Sequence, residues 1–256
     1  MNQYLDCPPL NAQCIPDTIT KVLSFGSTMN GSDSHFEVII SPLLSVAENV
    51  AMDEAMTKAA ASEQRYTLRL WWAGSPTVVI GRSESPEVVA NLESCGRLGI
   101  DVIRRASGGG TVLQMPGVLN YSLTAPAPPI FDIRRTFAVG ARYLIGVLAQ
   151  FGLEAQQRGI SDVALGGLKI SGNAMAKRWG GLLLHGTLLY DLDLDLVESC
   201  LRHPPREPDY RGGRRHRDFI TTLKLLGVAS STDEVERAAA ETARMMSAAG
   251  DLRLPG

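Results

Sequence analysis

Cysteine is scarce in this chain, and no cysteine has a spacing that chemistry would use. Four occur in 256 residues, at Cys7, Cys14, Cys95 and Cys200, without a Cys-x-x-Cys pair. That argues against a disulfide framework and points to a reducing, cytoplasmic setting. His203 and His216 have no metal-ligand spacing with any cysteine, so a zinc site is not expected. Charge of one sign is lacking too. Lys and Arg number 25 against 27 Asp and Glu, a net charge of −2, which excludes a nucleic-acid protein held mainly by phosphate contacts. Apolar stretches such as Tyr143 to Leu148 fall far short of the ~20 residues that cross a bilayer, so no membrane role is expected. No basic start with an apolar core and cleavage site is present, so no secretory leader is expected. The phosphate-binding patterns Gly-x4-Gly-Lys-Ser/Thr and Gly-x-Gly-x-x-Gly are also missing. Any nucleotide must be held by another loop.

The remaining composition is that of a folded enzyme-sized chain, with 45% hydrophobic residues to build a core. Residues 1–36 carry Pro8, Pro9, Pro16, Gly26 and Gly31 with little periodicity and read as a loosely ordered N-terminal extension. Phe36 to Ile40 reads as a strand, and Ser45 to Ala61 as a helix with Glu48, Asp53 and Glu54 on a partly exposed face. Thr67 to Ala73 and Thr77 to Gly81 flank Gly74-Ser75-Pro76 and read as a hairpin. Val88 to Leu98 reads as one helix, Val102 to Arg105 and Val118 to Leu123 as strands. Asp132 caps a helix whose apolar positions run from Phe137 to Phe151. Strands follow at Asp162 to Ala164, Leu168 to Ser171 and Leu182 to Asp191, the last two joined by a turn at Trp179-Gly180-Gly181. A final helix runs from about Thr232 to Ala248. The fold class is α+β, a mixed β-sheet flanked by helices.

Two segments carry the chemistry. In Arg104-Arg105-Ala106-Ser107-Gly108-Gly109-Gly110-Thr111, three glycines after a strand let backbone N–H groups approach an anion. Such a run by itself is more often a tight turn. In Leu168-Lys169-Ile170-Ser171-Gly172-Asn173-Ala174, a lysine stands among small and polar residues, able to act as a fixed counter-charge or simply to be solvated. Arg104 and Arg105 point to opposite faces of a strand, so at most one enters a given pocket. Asp162 could ligate Mg²⁺ or cap a strand end. His185, in Leu184-His185-Gly186-Thr187, is of a kind more often hydrogen-bonded structure than catalyst. The basic loop from Arg211 to Arg217 could hold phosphates or be solvated.

In their order, Ala47 to Ala55, Leu68 to Trp71, Pro76 to Arg82, Arg104 to Val112, Leu119 to Ser122, Gly159 to Asp162, Lys169 to Ala174 and His185 to Leu189 resemble the lipoate-protein ligase and octanoyltransferase branch of the biotin/lipoate ligase family. The resemblance covers about residues 37 to 222 and implies a single catalytic domain over 37–256, with no separate C-terminal accessory domain. It implies ATP and Mg²⁺ as cofactors, lipoate or octanoate as the acid activated to an acyl-AMP, and a lipoyl-domain protein as acceptor. Lys169 is the implied catalytic residue. Arg104 or Arg105 is implied on the phosphate side, and Ser107, Gly108, Gly109 and Gly110 along the acyl-adenylate. Asn120, Ser171, Gly172, Asn173, His185, Gly186 and Thr187 complete the implied site, with Asp162 toward nucleotide or metal. Cysteine-dependent octanoyltransferases place a nucleophilic thiol near the equivalent lysine, and this chain has none between Cys95 and Cys200. Octanoyl transfer from acyl carrier protein is therefore the lesser alternative, with non-catalytic binding of lipoate or a lipoyl domain as a further one. Only about thirty residues follow Thr222, so the resemblance also raises an accessory ligase subunit as a partner.

Overall fold

The computed structural model describes residues 21–25 and 36–254. Most of the expected loose extension, 1–20 and 26–35, lies outside the described residues. Within it, the sequence reading did not assign β1 (Lys21–Phe25), which pairs antiparallel with the expected strand β2 (Phe36–Ile40). From β2 the chain enters α1 (Val46–Glu63) and returns in β3 (Tyr66–Trp72), parallel to β2. Ser45 starts α1 because its hydroxyl accepts from the Glu48 N–H at 3.2 Å while the Glu48 carboxylate accepts from the Ser45 N–H at 2.9 Å. That reciprocal cap satisfies two otherwise unpaired donors.

The segments expected to form a hairpin part company. β3 joins an eight-stranded sheet, whereas β4 (Thr77–Ile80) becomes the centre of a three-stranded sheet between β5 (Asp101–Arg104) and β6 (Val112–Gln114). The Gly74-Ser75-Pro76 turn carries the chain from one sheet to the other. The helix expected over Val88 to Leu98 is likewise two, α2 (Pro86–Val89) and α3 (Leu92–Leu98). Between them Ala90 is extended and bridges Leu201, and the Asn91 side chain caps α3 from Ser94 N–H.

The large sheet runs β1-β2-β3-β7-β11-β10-β9-β8, with β7 (Val118–Pro126), β8 (Gln156–Arg158), β9 (Asp162–Leu165), β10 (Leu168–Arg178) and β11 (Gly181–Leu189). β10 and β11 are joined through Trp179 and Gly180, both at positive φ, a two-residue turn that suits strand twist. The turn at 179–181 was legible in the sequence. α4 (Ile133–Ala149) begins at Asp132, whose carboxylate accepts from Arg135 N–H. α4 covers one face of the sheet, where Tyr121, Leu123 and Leu184 meet Tyr143, Leu144 and Val147. α7 (Thr232–Ala249) packs on α4 through Tyr143 Oη donating to the Ala239 carbonyl at 3.0 Å. α5 (Leu194–Cys200) and α6 (His216–Phe219) lie on the polypeptide between β11 and α7.

The other face of the sheet is different. Strand register sets Arg69, Ser122 and His185 in one row and Trp71, Asn120 and Thr187 in the next. All six point the same way because side chains two apart share a face. α1 lies over this polar face, and its Asp53 is 3% exposed rather than on the partly exposed face expected for it. No helix among the described residues is long and apolar enough to cross a membrane.

Candidate active site

The glycine-rich loop is wrapped around a buried cation. Arg105 is 6% exposed and donates to the Val79 carbonyl at 3.1 Å, Ser107 Oγ at 3.0 Å, the Gly108 carbonyl at 2.8 Å and the Gly110 carbonyl at 2.6 Å. The Gly108 and Gly110 carbonyls lie outside any strand or helix, and the guanidinium fork supplies hydrogen bonds to them. Burial lowers the Arg105 pKa to about 10, against the opposing charge of Glu84, so the group stays protonated at neutral pH. Arg104 points the other way, as strand alternation requires. Its Nη1 donates to the carbonyls of Gly81, Arg82 and Glu84 at 3.0, 3.0 and 2.8 Å, fixing the turn after β4. The two turns interlock, because a Cβ on Gly81 would collide with the Gly109 carbonyl oxygen. Glu84 completes the lock by accepting from Gly81 N–H at 3.0 Å and the Thr111 hydroxyl at 2.7 Å.

Lys169 opens β10 where its pairing with β9 slips between Lys169 and Ser171. Such a bulge re-aims a side chain. The ammonium lies 2.8 Å from Asp162 Oδ1, and the Tyr210 hydroxyl donates to Asp162 Oδ2 at 2.9 Å. Burial, then the neighbouring Asp162 charge, pushes the Tyr210 phenol up. Tyr210 belongs to the segment between α5 and α6, and just beyond α6 the chain lies against β10 through Thr221 N–H donating to the Lys169 carbonyl at 2.8 Å. Asn173 is spent internally. Its amide donates to the Ser161 carbonyl at 2.7 Å, and its Oδ1 accepts from the Tyr121 hydroxyl at 2.6 Å. Asn120 pairs reciprocally with Gln114 at 2.7 and 3.0 Å.

Two connected cavities meet at Lys169. The narrow one, about 150 Å³, is lined by Trp71, Val79, Arg105, Gly109, Gln114, Asn120, Asn173, Ala174, His185 and Gly186. The wide one, about 800 Å³, is lined by Arg158, Arg202, Arg206, Tyr210, Arg211 and His216. Gly110, Asp162, Lys169, Gly172 and Thr187 line both and so stand at the junction. Of the residues singled out in the sequence, Arg104, Ser107, Gly108 and Ser171 line neither and act from behind the wall.

Sequence reasoning missed a buried ionic group beneath the narrow cavity. Arg69, 1% exposed, donates through Nη1 to Asp53 Oδ1 at 2.8 Å, through Nε to Ser41 Oγ at 2.6 Å, and through Nη2 to Asn49 Oδ1. Its guanidinium also sits 5.7 Å from the Trp71 ring. Burial would raise the Asp53 carboxyl, but His185 and Arg69 outweigh it and hold it below the usual carboxylate range. The available signal was a lone arginine inside the otherwise apolar Leu68 to Trp72. Among the described residues no cluster of three His, Cys, Asp or Glu could hold a metal, and both Asp162 oxygens already have protein donors.

A small cavity lined partly by backbone and a larger one carrying several arginines thus share Lys169 in their walls, in a mixed sheet flanked by helices. Residues 45–244 match the lipoyl protein ligase A/B catalytic domain, and the chain belongs to that family. It is 34% identical to the lipoate-protein ligase LplJ of Bacillus subtilis over 187 residues, 73% of this chain and 55% of that protein. A bi-partite lipoate protein ligase of Thermoplasma acidophilum, solved in a study of an archaeal lipoylation system with its E2 lipoyl domain, superposes with a TM-score of 0.68 at 27% identity, covering 79% of this chain and 78% of that one. A lipoate-protein ligase A bound with ATP superposes at 0.67 and 26% identity, covering 80% and 82%. The chain spans about half the length of the curated relatives it matches.

Proposed function

We propose that this chain activates lipoate, or octanoate, with ATP to an acyl-AMP and transfers the acyl group to a lysine of a lipoyl-domain protein. The observation that carries the reading is the position of Lys169 at the meeting of the two cavities. An acyl chain in the narrow cavity presents its carboxylate there, and a nucleotide in the wide one presents its α-phosphate. Two anions repel at that distance, and a fixed ammonium offsets the repulsion and stabilises the charge that develops as the carboxylate attacks phosphorus and pyrophosphate leaves. A lipoate-protein ligase A solved with ATP bound supports the nucleotide half of this pairing, and the bi-partite ligase studied with its E2 lipoyl domain supports a lipoyl domain as acceptor.

The residues of the wide cavity fit a polyanion. Arg211 is 5% exposed, and its Nη2 has no hydrogen-bond partner, an unusual state for a buried guanidinium that a phosphate oxygen would relieve. Magnesium does not fit a protein-built cage here. It would enter on the nucleotide phosphates, with Asp162 reaching it only by giving up Lys169 or Tyr210. Transfer by way of a protein thioester is disfavoured among the described residues, because Cys95 and Cys200 line neither cavity and burial raises the Cys95 thiol to about 12. These two described cysteines are free thiols, compatible with a cytoplasmic protein.

The test is mass spectrometry of a lipoyl domain incubated with the protein and lipoate, with and without ATP and magnesium. A lipoyl mass gain that needs ATP supports the proposal. A gain from octanoyl-acyl carrier protein without ATP replaces it with the transferase. A gain that appears only when an accessory ligase subunit is added makes the enzyme bipartite. Lipoate binding with no gain in any arm leaves a binding protein.

A further inference from the structure

His185 stands between the two charged features that the sequence reading treated separately or missed. Its Nε2 is 2.6 Å from Ser107 Oγ, inside the glycine-rich segment, and its Nδ1 is 3.7 Å from Asp53 Oδ2 on α1. Asp53 in turn holds Arg69 on β3. The result is a continuous row, Arg69, Asp53, His185, Ser107, Arg105, that crosses the floor of the narrow cavity and ends in the carbonyls of the glycine loop.

Ser107 is fully buried and does not line either cavity, so its hydroxyl is no nucleophile toward a bound acid. It can, however, fix a proton. Arg105 Nε already donates to Ser107 Oγ at 3.0 Å, so the hydroxyl hydrogen is free to point at His185 Nε2. That nitrogen must then be the acceptor, and the ring proton sits on Nδ1, facing the ionised Asp53 carboxylate. A ring carrying its proton on Nε2 would instead donate into the second lone pair of Ser107 Oγ and take from the buried hydroxyl hydrogen the acceptor that His185 provides.

We infer that His185 is a positioning residue, held by Asp53 and Arg69 as the neutral Nδ1–H tautomer, in which form it fixes Ser107 and thereby the shape of the glycine loop. Charged groups reach it from three elements: Asp53 from α1, Arg69 of β3 through that carboxylate, and Arg105 behind Ser107. Lys169 and Asp162 share the cavity wall with it, while β7 and β10 offer only neutral Ser122 and Ala174 opposite.

The inference rests on the ligase reading for its kinetic consequence but not for its structural one. Long-range ¹H–¹⁵N spectra of histidine-labelled protein, assigned with His185→Gln, are expected to show His185 with the proton on Nδ1 at neutral pH. A proton on Nε2, or a doubly protonated ring, overturns the inference whatever the protein catalyses. Kinetically, Ser107→Ala and His185→Gln are expected to raise KM for lipoate about tenfold while changing kcat much less. Unchanged KM in both variants also overturns it. Absence of any ligase turnover in the wild type counts against the proposed function alone, since the tautomer is read without substrate.

Discussion

Lys169 and Asp162 form an ion pair in the shared wall of the two cavities: the ammonium lies 2.8 Å from Oδ1, 28% of the lysine side chain is exposed, and the carboxylate is nearly buried. Asp162 therefore aims the cation at the junction of the cavities rather than burying it. An arriving carboxylate and phosphate compete for an ammonium that is already in place, so no reorganisation accompanies the chemistry.

Lys169→Met is accordingly expected to lower the rate of pyrophosphate release by about 10²–10³-fold, the usual loss on removing one preorganised charge-stabilising donor. The melting temperature should stay within a degree or two of wild type, because a side chain facing a cavity contributes little packing. Stopped-flow pyrophosphate release beside a thermal melt checks both. Turnover within a few fold of wild type would remove Lys169 from the chemistry.

Tyr210→Phe removes only the donor to Asp162 Oδ2. The ring keeps its 5.1 Å contact with Phe219 and its place over Arg158, so the segment should stay folded. A hydrogen bond to a charged group is worth about 1.5–3 kcal/mol. Roughly tenfold slower adenylation is expected, with a stability loss no larger than that one bond, measured by the same release assay beside urea unfolding. A larger stability loss would instead make Tyr210 a packing residue, and unchanged adenylation would remove it from the site.

Much of this site could be read from the sequence, and the part that could not has a common cause. The glycine segment, Lys169, Asp162 and the strands around them announce themselves locally, through residue types that have few other uses at that spacing. Arg69, Asp53 and Asn49 do not, because their meaning depends on register: Arg69 is buried only because β3 lies between β2 and β7 with α1 across its polar face. Asp53 read as an exposed helical acid for the same reason. The supposed hairpin failed similarly, since a Gly-Ser-Pro turn announces a change of direction and not which sheet the next strand joins. Arg104 and Arg105 were correctly expected to part, but what each holds is a backbone loop that no side-chain pattern encodes.

The buried Arg69–Asp53 pair gives the stability a pH dependence of definite sign. Asp53 titrates below its ordinary value near 3.8 in the folded chain, so its contribution is present above that value and is lost as pH falls through the folded one. Arg69→Met should cost about 3–5 kcal/mol by leaving a buried carboxylate unpaired, and Arg69→Met with Asp53→Leu should recover much of it. Urea unfolding of the three proteins at neutral and acid pH tests this. If the single variant unfolds like wild type, the pair carries no net stability. If Arg69→Met keeps the acid sensitivity of wild type, Asp53 is not its source.

Gly81→Ala probes the interlock of the two turns. Its Cβ would drive into the Gly109 carbonyl oxygen, a backbone atom that cannot swing aside, while Arg105 Nη2 holds the carbonyls on either side of it, Gly108 and Gly110. The loop must therefore shift as a unit, and with it the wall of the acyl slot. Overpacking of this kind costs about 1–3 kcal/mol. Lipoate affinity, read by calorimetry, should fall more than tenfold and ATP affinity by less, because Gly109 lines the narrow cavity alone, while the wide one also has walls at 157–162 and 201–220 that the loop does not build. A matched loss of both affinities would mean that the turn supports the whole site, and unchanged lipoate binding would mean that the loop does not shape the slot.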